Sequence, residues 1–400
     1  MIVRTVDPAI LSEAKLWDGV VPASRPDLRI SAILGANRSG LLIDPRLAFV
    51  CTANSLQPVA IALDQYIEVR GQAIAGPANR HPLHEEIFRM RVVAPAIPSG
   101  LCGVAFHCGT SSDERRRAFQ ALLLHFSNLV PPQHLQMAWD FPLSECEDWA
   151  DGALENDLDF FRVLQGYGFT FLIDPGWRTI DDCIKGMRSR YRTHQNRWIR
   201  RADAAGLAVS TARCIEDWIS SAAPLIEDVT TRQGIYYEIP TAEFLKEFAQ
   251  LPGAEMTICS DLTTKCVRGV NLLLHGGDAL FNLYVGFRAD DHVAYQALLR
   301  YSVARAIELA CRYLHLGQRA DLSKRRLGAL SSRLFLYARH PSRQIHTQLR
   351  NIRTPAGLPH EEIQPLTGYR RIFRREQRIR FSTDQRFRAI IGLATKTELP

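Results

Sequence analysis

Apolar residues along this chain gather into short runs and spaced stripes, and each change of period marks a new element. Runs over 30–34 and 48–52, bounded by Gly, Pro or Asn, predict strands in the first part of the chain. Phe119, Leu122, Leu123 and Phe126 then recur at i, i+3, i+4 and i+7, behind Ser111, Ser112 and Asp113 as capping residues, and predict a helix. The pattern continues with a strand over 135–141, a helix over 157–164, and a strand over 169–173 after Gly168.

Pro175 and Gly176 punctuate the chain next and place a junction between two lobes at about residues 169–177. Beyond it the spacing predicts a long helix over 179–205 stopped by Gly206, a strand over 207–212, and helices over 216–231 and 241–249. Three successive strands follow, 255–261, 265–274 and 279–287. The turns between them, Asp261-Leu262-Thr263-Thr264 and His275-Gly276-Gly277-Asp278, have hairpin chemistry. A helix over 293–312 carries Leu299, Val303, Ala306 and Ala310 on one stripe, and a strand (313–316), a short helix (321–327) and a strand (333–338) complete the lobe. The domains so defined are 1–173, 174–340 and an extension, 341–400. Helix, strand, helix, strand ends both lobes, so the order of elements suggests an internal repeat, although no sequence repeat accompanies it. A structure with one continuous sheet would refute that repeat.

A length of 400 residues suits two domains. With 46% hydrophobic and 23% charged residues, the chain is neither disordered nor fibrous. No window approaches the roughly 18 uninterrupted apolar residues of a membrane span, and Arg4, Asp7 and Glu13 stand where a signal peptide would be apolar, which points to the cytoplasm. The nine cysteines are scattered without a C-x-x-C pair, so they suggest small buried residues, with neither a disulfide framework nor a metal site. The net charge of +7 is concentrated after residue 340, where twelve Lys or Arg face five Asp or Glu. Arg370, Arg371, Arg374, Arg375, Arg378 and Arg380 form the densest run. Two readings stand for it: contact with nucleic acid, a phosphorylated substrate or an anionic membrane, or a solvated extension packing a few apolar residues onto the body.

Three stretches together resemble the GNAT N-acyltransferases, and within them the Fem-type branch, over about residues 155–340. They are the Arg-rich helix from Arg188, Arg190 and Arg192 to Gly206; Leu283-Tyr284-Val285-Gly286-Phe287, similar to the branch's strand ending in Tyr-x-Gly; and Leu316-Gly317-Gln318 followed by Lys324-Arg325-Arg326-Leu327-Gly328. The acetyl-CoA loop of ordinary members is not matched, because Leu330 stands at its final small position. The resemblance implies an α/β (α+β) fold of two tandem GNAT-like lobes with mixed, mostly antiparallel sheets flanked by helices. It implies an N-acyltransferase with no permanently bound cofactor, taking acyl-CoA or aminoacyl-tRNA as cosubstrate and a small-molecule or peptide amine as acceptor. Two basic regions and the missing loop favour tRNA or another large phosphate-bearing carrier as partner.

Amide formation from an ester or thioester needs a free-base amine, a carbonyl held at attack distance and donors for the developing oxyanion. On the resemblance, Lys324 and Tyr284 are the catalytic candidates, Lys324 as an ammonium for phosphate or tetrahedral charge and Tyr284 as a phenol that helps a proton depart. The plain alternatives are a surface lysine paired with Asp321 and a core tyrosine with its hydroxyl satisfied. Gln318, Arg325, Arg326, Arg190, Arg192 and Arg197 are candidates for binding substrate or carrier. Seven cations lie between residues 183 and 201 without an intervening acid, so that helix needs a partner, either an acidic surface of the other lobe or an anionic ligand.

Other templates fit poorly. Gly35 to Gly40 lacks the Lys-Ser/Thr ending of a phosphate-binding loop and predicts a turn, His81 and His84 lack a third ligand, and no G-x-S-x-G elbow occurs. The rival to the enzyme is a degenerate acyltransferase fold acting as a binding module, its basic tail docked on nucleic acid or an anionic membrane.

Overall fold

The computed structural model describes all residues except 53–56, 71–86, 130–133, 233–238, 319–320 and 353–400. In the first lobe, strand β1 (Ile2–Val6), helices α1 (Leu11–Val20) and α2 (Ile30–Arg38), and strands β2 (Ile43–Cys51), β3 (Pro58–Arg70) and β4 (Ile87–Val93) come first. A short β5 (Val104–Phe106), helix α3 (Ser112–Ser127), β6 (Leu135–Pro142), a helical stretch from Leu143 to Asn156, and β7 (Phe161–Leu172) follow.

The second lobe opens with α4 (Ile180–Gly186) and α5 (Ser189–Ala204), then β8 (Leu207–Thr211), α6 (Ile219–Arg232), α7 (Ala242–Ala249), β9 (Ala254–Asp261), β10 (Val267–Gly276) and β11 (Ala279–Phe287). It closes with α8 (His292–Glu308), β12 (Tyr313–His315), α9 (Asp321–Leu327) and β13 (Leu330–Arg339), and α10 (Arg343–Ile352) follows. Setting aside β5 in the first lobe and the leading helices α4 and α5 in the second, both lobes run strand, two helices, three strands, helix, strand, helical turn, strand.

All of these strands join one thirteen-stranded sheet, ordered β1-β2-β3-β4-β6-β13-β7-β12-β11-β10-β9-β8, with β5 beside β3. Read from each edge, the order is the same in both lobes up to the last strand, and there the lobes trade: β13 completes the first lobe and β7 the second. The exchanged strands pair antiparallel with one another at the centre. The sheet is continuous, the outcome expected to refute a repeat; that expectation did not foresee an exchange of strands, which joins the two lobes while each keeps the same strand order. Each lobe also has one parallel pair, β4 with β6 and β11 with β12, while the other pairs among the described residues are antiparallel.

Helices cover both faces. Helices α1, α2, α6 and α7 share one core across the two lobes, in which Trp17, Leu28, Ile33, Ile226, Phe244 and Phe248 are buried together. The Trp17 indole donates to the Leu28 carbonyl at 2.8 Å, which satisfies the one polar atom that its burial puts at risk. On the opposite face α3 covers the first lobe through Phe119, Leu122 and Phe126, and α8 covers the second through Leu299, Val303 and Ala306.

Three predicted elements are corrected. Residues 30–34 form a helix because Ile30, Ile33 and Ala36 share its buried side and the Asp18 carboxylate accepts from the Ile30 N–H at 3.0 Å, capping its start. The helix expected over 157–164 lies upstream, where Cys146, Trp149, Ala150, Ala153 and Leu154 are buried at helical spacing, and β7 begins at Phe161. The long helix over 179–205 is two. Met187 and Arg188 are extended, with ψ of 152° and 148°, because Met187 is buried in the core and Arg192 donates back to the carbonyls of Lys185 and Met187. Gly35 belongs to α2 rather than to a turn, which Ser39 and Gly40 supply. His81, His84 and the arginine run after residue 369 lie outside the described residues.

Candidate functional site

The site grows from the two places where parallel neighbours part. Strand β6 pairs with β4 only from Leu135 to Ala138, and β12 pairs with β11 from Tyr313 to His315. Just beyond the first parting stands Asp140, with a left-handed φ of 62°, and beyond the second Gly317, with φ 66°, and then Gln318. A glycine adopts that backbone without cost, and an aspartate tolerates it better than most other residues. The Gln318 amide donates to Asp140 Oδ1 at 2.6 Å, so the mouths of the two lobes meet side chain to side chain. Lys324, on α9, is buried, donates from Nζ to the Gln318 carbonyl, and lies 5.4 Å from the centre of the Phe169 ring.

Around this contact lies a buried polar layer. Arg25 donates twice to Asp27 at 3.0 Å and once to the Cys102 carbonyl at 2.6 Å, and Ser99 donates to Asp27 at 2.7 Å. Asp140 has no such ion pair among the described residues. Burial pushes its carboxyl up to about 7, against the hydrogen bonds from Gln318 and Gln165 and the charge of Arg25. Burial likewise pushes Glu145 up to about 7, opposed by Arg115 and Arg25. His315 stacks on Phe281 at 4.6 Å, shares a hydrogen bond with the Thr170 hydroxyl at 3.2 Å, and is pushed down to about 4 by burial, so its ring is neutral. A narrow cavity of about 20 Å³, wide enough for a water molecule, lies beside the junction, walled by Ser99, Gly100, Pro142, Thr170, His315 and Gly317.

A second, larger concavity of about 380 Å³ lies between α5 and α9. Arg190, Arg197 and Arg326 line it with Tyr191, Thr193, His194 and Leu322, and among the described residues no acid is in its walls. His194 accepts from the Trp198 indole at 3.3 Å, and its protonation is disfavoured by burial and by Arg326, Arg197 and Arg201. A neutral ring and three guanidiniums make an anion site.

The structure therefore brings Lys324 and Gln318 together at the junction and Arg190, Arg197 and Arg326 together in the pocket. Arg192 is turned back onto the carbonyls at the break between α4 and α5. Arg325 is half-buried and is not among the residues lining the pocket. Tyr284 is in the core shared by the lobes, its ring edge-on to Phe244 at 5.9 Å. The sequence reading passed over Asp140, Glu145, His315 and His194. One signal was present: Asp140 is the only charged residue in the run Leu135–Pro142, and an acid inside an otherwise apolar strand has to be either paired or used.

No protein-family model matches this chain, and no curated protein matches it in sequence. Solved structures do match. The chain superposes on FemX with a TM-score of 0.54 at 10% identity, over 87% of this chain and 99% of FemX. A conserved protein of unknown function from Bacteroides thetaiotaomicron gives 0.51 at 10% identity, over 84% and 99% of the two chains. A tandem GNAT protein from the clavulanic acid biosynthesis pathway gives 0.48 at 12% identity, over 85% and 98%. The likeness is one of fold alone, and it is the fold of FemX that the chain shares over nearly its whole described length.

Proposed function

We propose that this protein is an N-acyltransferase that moves an acyl or aminoacyl group from a phosphate-bearing carrier, acyl-CoA or aminoacyl-tRNA, to a primary amine by direct attack. The observation that supports it is the placement of α9. Within its seven residues, Arg326 faces the anion pocket while Lys324 reaches the polar junction. Two residues of helix separate them by only about 3 Å of rise. A carrier whose phosphates rest on Arg190, Arg197 and Arg326 would thus bring its acyl end toward Lys324, whose ammonium offsets charge on the tetrahedral intermediate.

The carrier contributes binding energy away from the reacting bond, and the junction supplies a water-poor setting in which an ammonium is worth more than in bulk solvent. Acetyl-CoA, palmitoyl-CoA and aminoacylated tRNA should be compared by thermal shift and acyl transfer, in the wild type, Arg197→Glu and Lys324→Ala. One carrier should stabilise the wild type, lose affinity with Arg197→Glu, and bind Lys324→Ala without efficient transfer. Carrier binding with no transfer by the wild type would mark a binding module instead.

A further inference from the structure

Resting on that reading, we infer that Asp140 of the first lobe accepts the proton of the attacking amine, so that the reaction centre is shared between the lobes. Its backbone is left-handed where the pairing of β6 with β13 is interrupted between Ala138 and Phe141, an irregularity of the kind that re-aims a side chain. Its carboxylate is buried, and a buried carboxylate kept for stability is ordinarily paired with a cation. Here the nearest guanidinium, Arg25, is committed to Asp27 and the Cys102 carbonyl, and what reaches Asp140 Oδ1 is the neutral amide of Gln318. That same Gln318 takes Lys324 on its carbonyl, so one residue holds the acid-base group and the cation apart and in register. Pro142 and Gly317, close along the chain to Asp140 and Gln318, wall the small cavity beside the junction.

The step balances. The amine nitrogen attacks the carrier's carbonyl carbon and the C–N bond forms while its N–H proton passes to the Asp140 carboxylate. The C–O or C–S bond to the carrier then breaks, and the leaving oxygen or sulfur takes a proton from the Lys324 ammonium. Asp140 releases its proton to solvent and Lys324 regains one, so both groups end as they began. Among the described residues, the charged or titratable groups facing Asp140 are Arg25, Cys102 and, through Gln318, Lys324.

The test uses the full chain as wild type, Asp140→Asn and Asp140→Ala, with acetyl-CoA, palmitoyl-CoA or aminoacylated tRNA as donor and ethylamine or hydroxylamine as acceptor. Removal of a proton acceptor should lower kcat by about 100-fold or more, with the donor KM unchanged within about threefold, and should abolish the rise of rate between pH 6 and 8. The loss should be smaller with hydroxylamine, whose nitrogen is already unprotonated at neutral pH, than with ethylamine. Folding of the variants is checked by their urea midpoints. A folded Asp140→Asn that keeps more than a tenth of the rate, or keeps the wild-type pH profile, overturns the assignment of Asp140 alone. A wild type that transfers from none of the donors overturns this inference together with the reading it rests on.

Discussion

Replacing Asp140 with Asn should stabilise the protein relative to wild type by about 3 kcal/mol more at pH 8 than at pH 5. In the folded chain burial pushes the Asp140 carboxyl from 3.8 up to about 7. Well below pH 3.8 the group is protonated whether folded or unfolded, and nothing is lost. As pH rises through the window from about 4 to 7 the unfolded chain releases the proton first, so stability falls at up to about 1.4 kcal/mol per pH unit. Between pH 5 and 8 that loss comes to about 3 kcal/mol, complete once pH exceeds the folded value. Asn keeps an oxygen for Gln318, tolerates the left-handed backbone better than most residues, and cannot ionise. Glu145, whose loss runs in the same direction, and His315, which runs in the opposite direction below its ordinary pH range, are present in both proteins and cancel in the comparison. Urea unfolding of both proteins at the two pH values gives the double difference directly. An Asp140→Asn protein less stable than wild type at pH 8 would refute the reasoning, since it would mean that the carboxylate is satisfied where it stands.

Three further outcomes follow from the packing and the charge. Gly286→Ala should cost about 1–3 kcal/mol in urea unfolding, because its Cβ would lie 2.7 Å from the Ile226 nitrogen and from the Leu225 carbonyl carbon, both backbone atoms of α6. Ser111→Ala should cost about 1 kcal/mol, because Ser111 and Glu114 form a reciprocal capping box at the start of α3; a smaller loss than about 0.3 kcal/mol would show that the box is idle. Carrier affinity should weaken with added KCl, and Arg197→Glu should flatten that dependence by removing one phosphate contact.

The stripes behind α3, α7 and α8 were legible because each helix lays a regular apolar face on the sheet, and the β9, β10 and β11 meander was legible from its turns. The reading failed where a short window of β-branched residues concealed a helix, at Ile30 and Ile33, and where a buried Met187 broke an otherwise continuous pattern. Lys324, Gln318 and the arginines of the pocket were reachable because a resemblance marked them. Asp140 was not, for its meaning depends on a partner, Gln318, that stands 178 residues away. Tyr284 illustrates the converse, since the motif around it is visible while its burial among Phe244 and its neighbours is a matter of three dimensions.

The exchange of β7 and β13 has a consequence for synthesis on the ribosome. The first lobe's β6 needs β13 as its neighbour, and the residues of β13 are translated only after the whole second lobe up to α9 has been made. Until then β6 presents an unpaired edge to every other chain in the vicinity, the kind of surface on which strands of strangers add. The amino-terminal half cannot finish folding as it emerges, which sets this chain apart from proteins whose domains close one after another during translation. Its most distant contacts must also be its last, which makes maturation slow relative to its size. Cutting the gene between the lobes would leave each fragment carrying a strand that belongs to the other. A minimal first lobe is obtained only by splicing β13 onto the end of a chain that stops before β7.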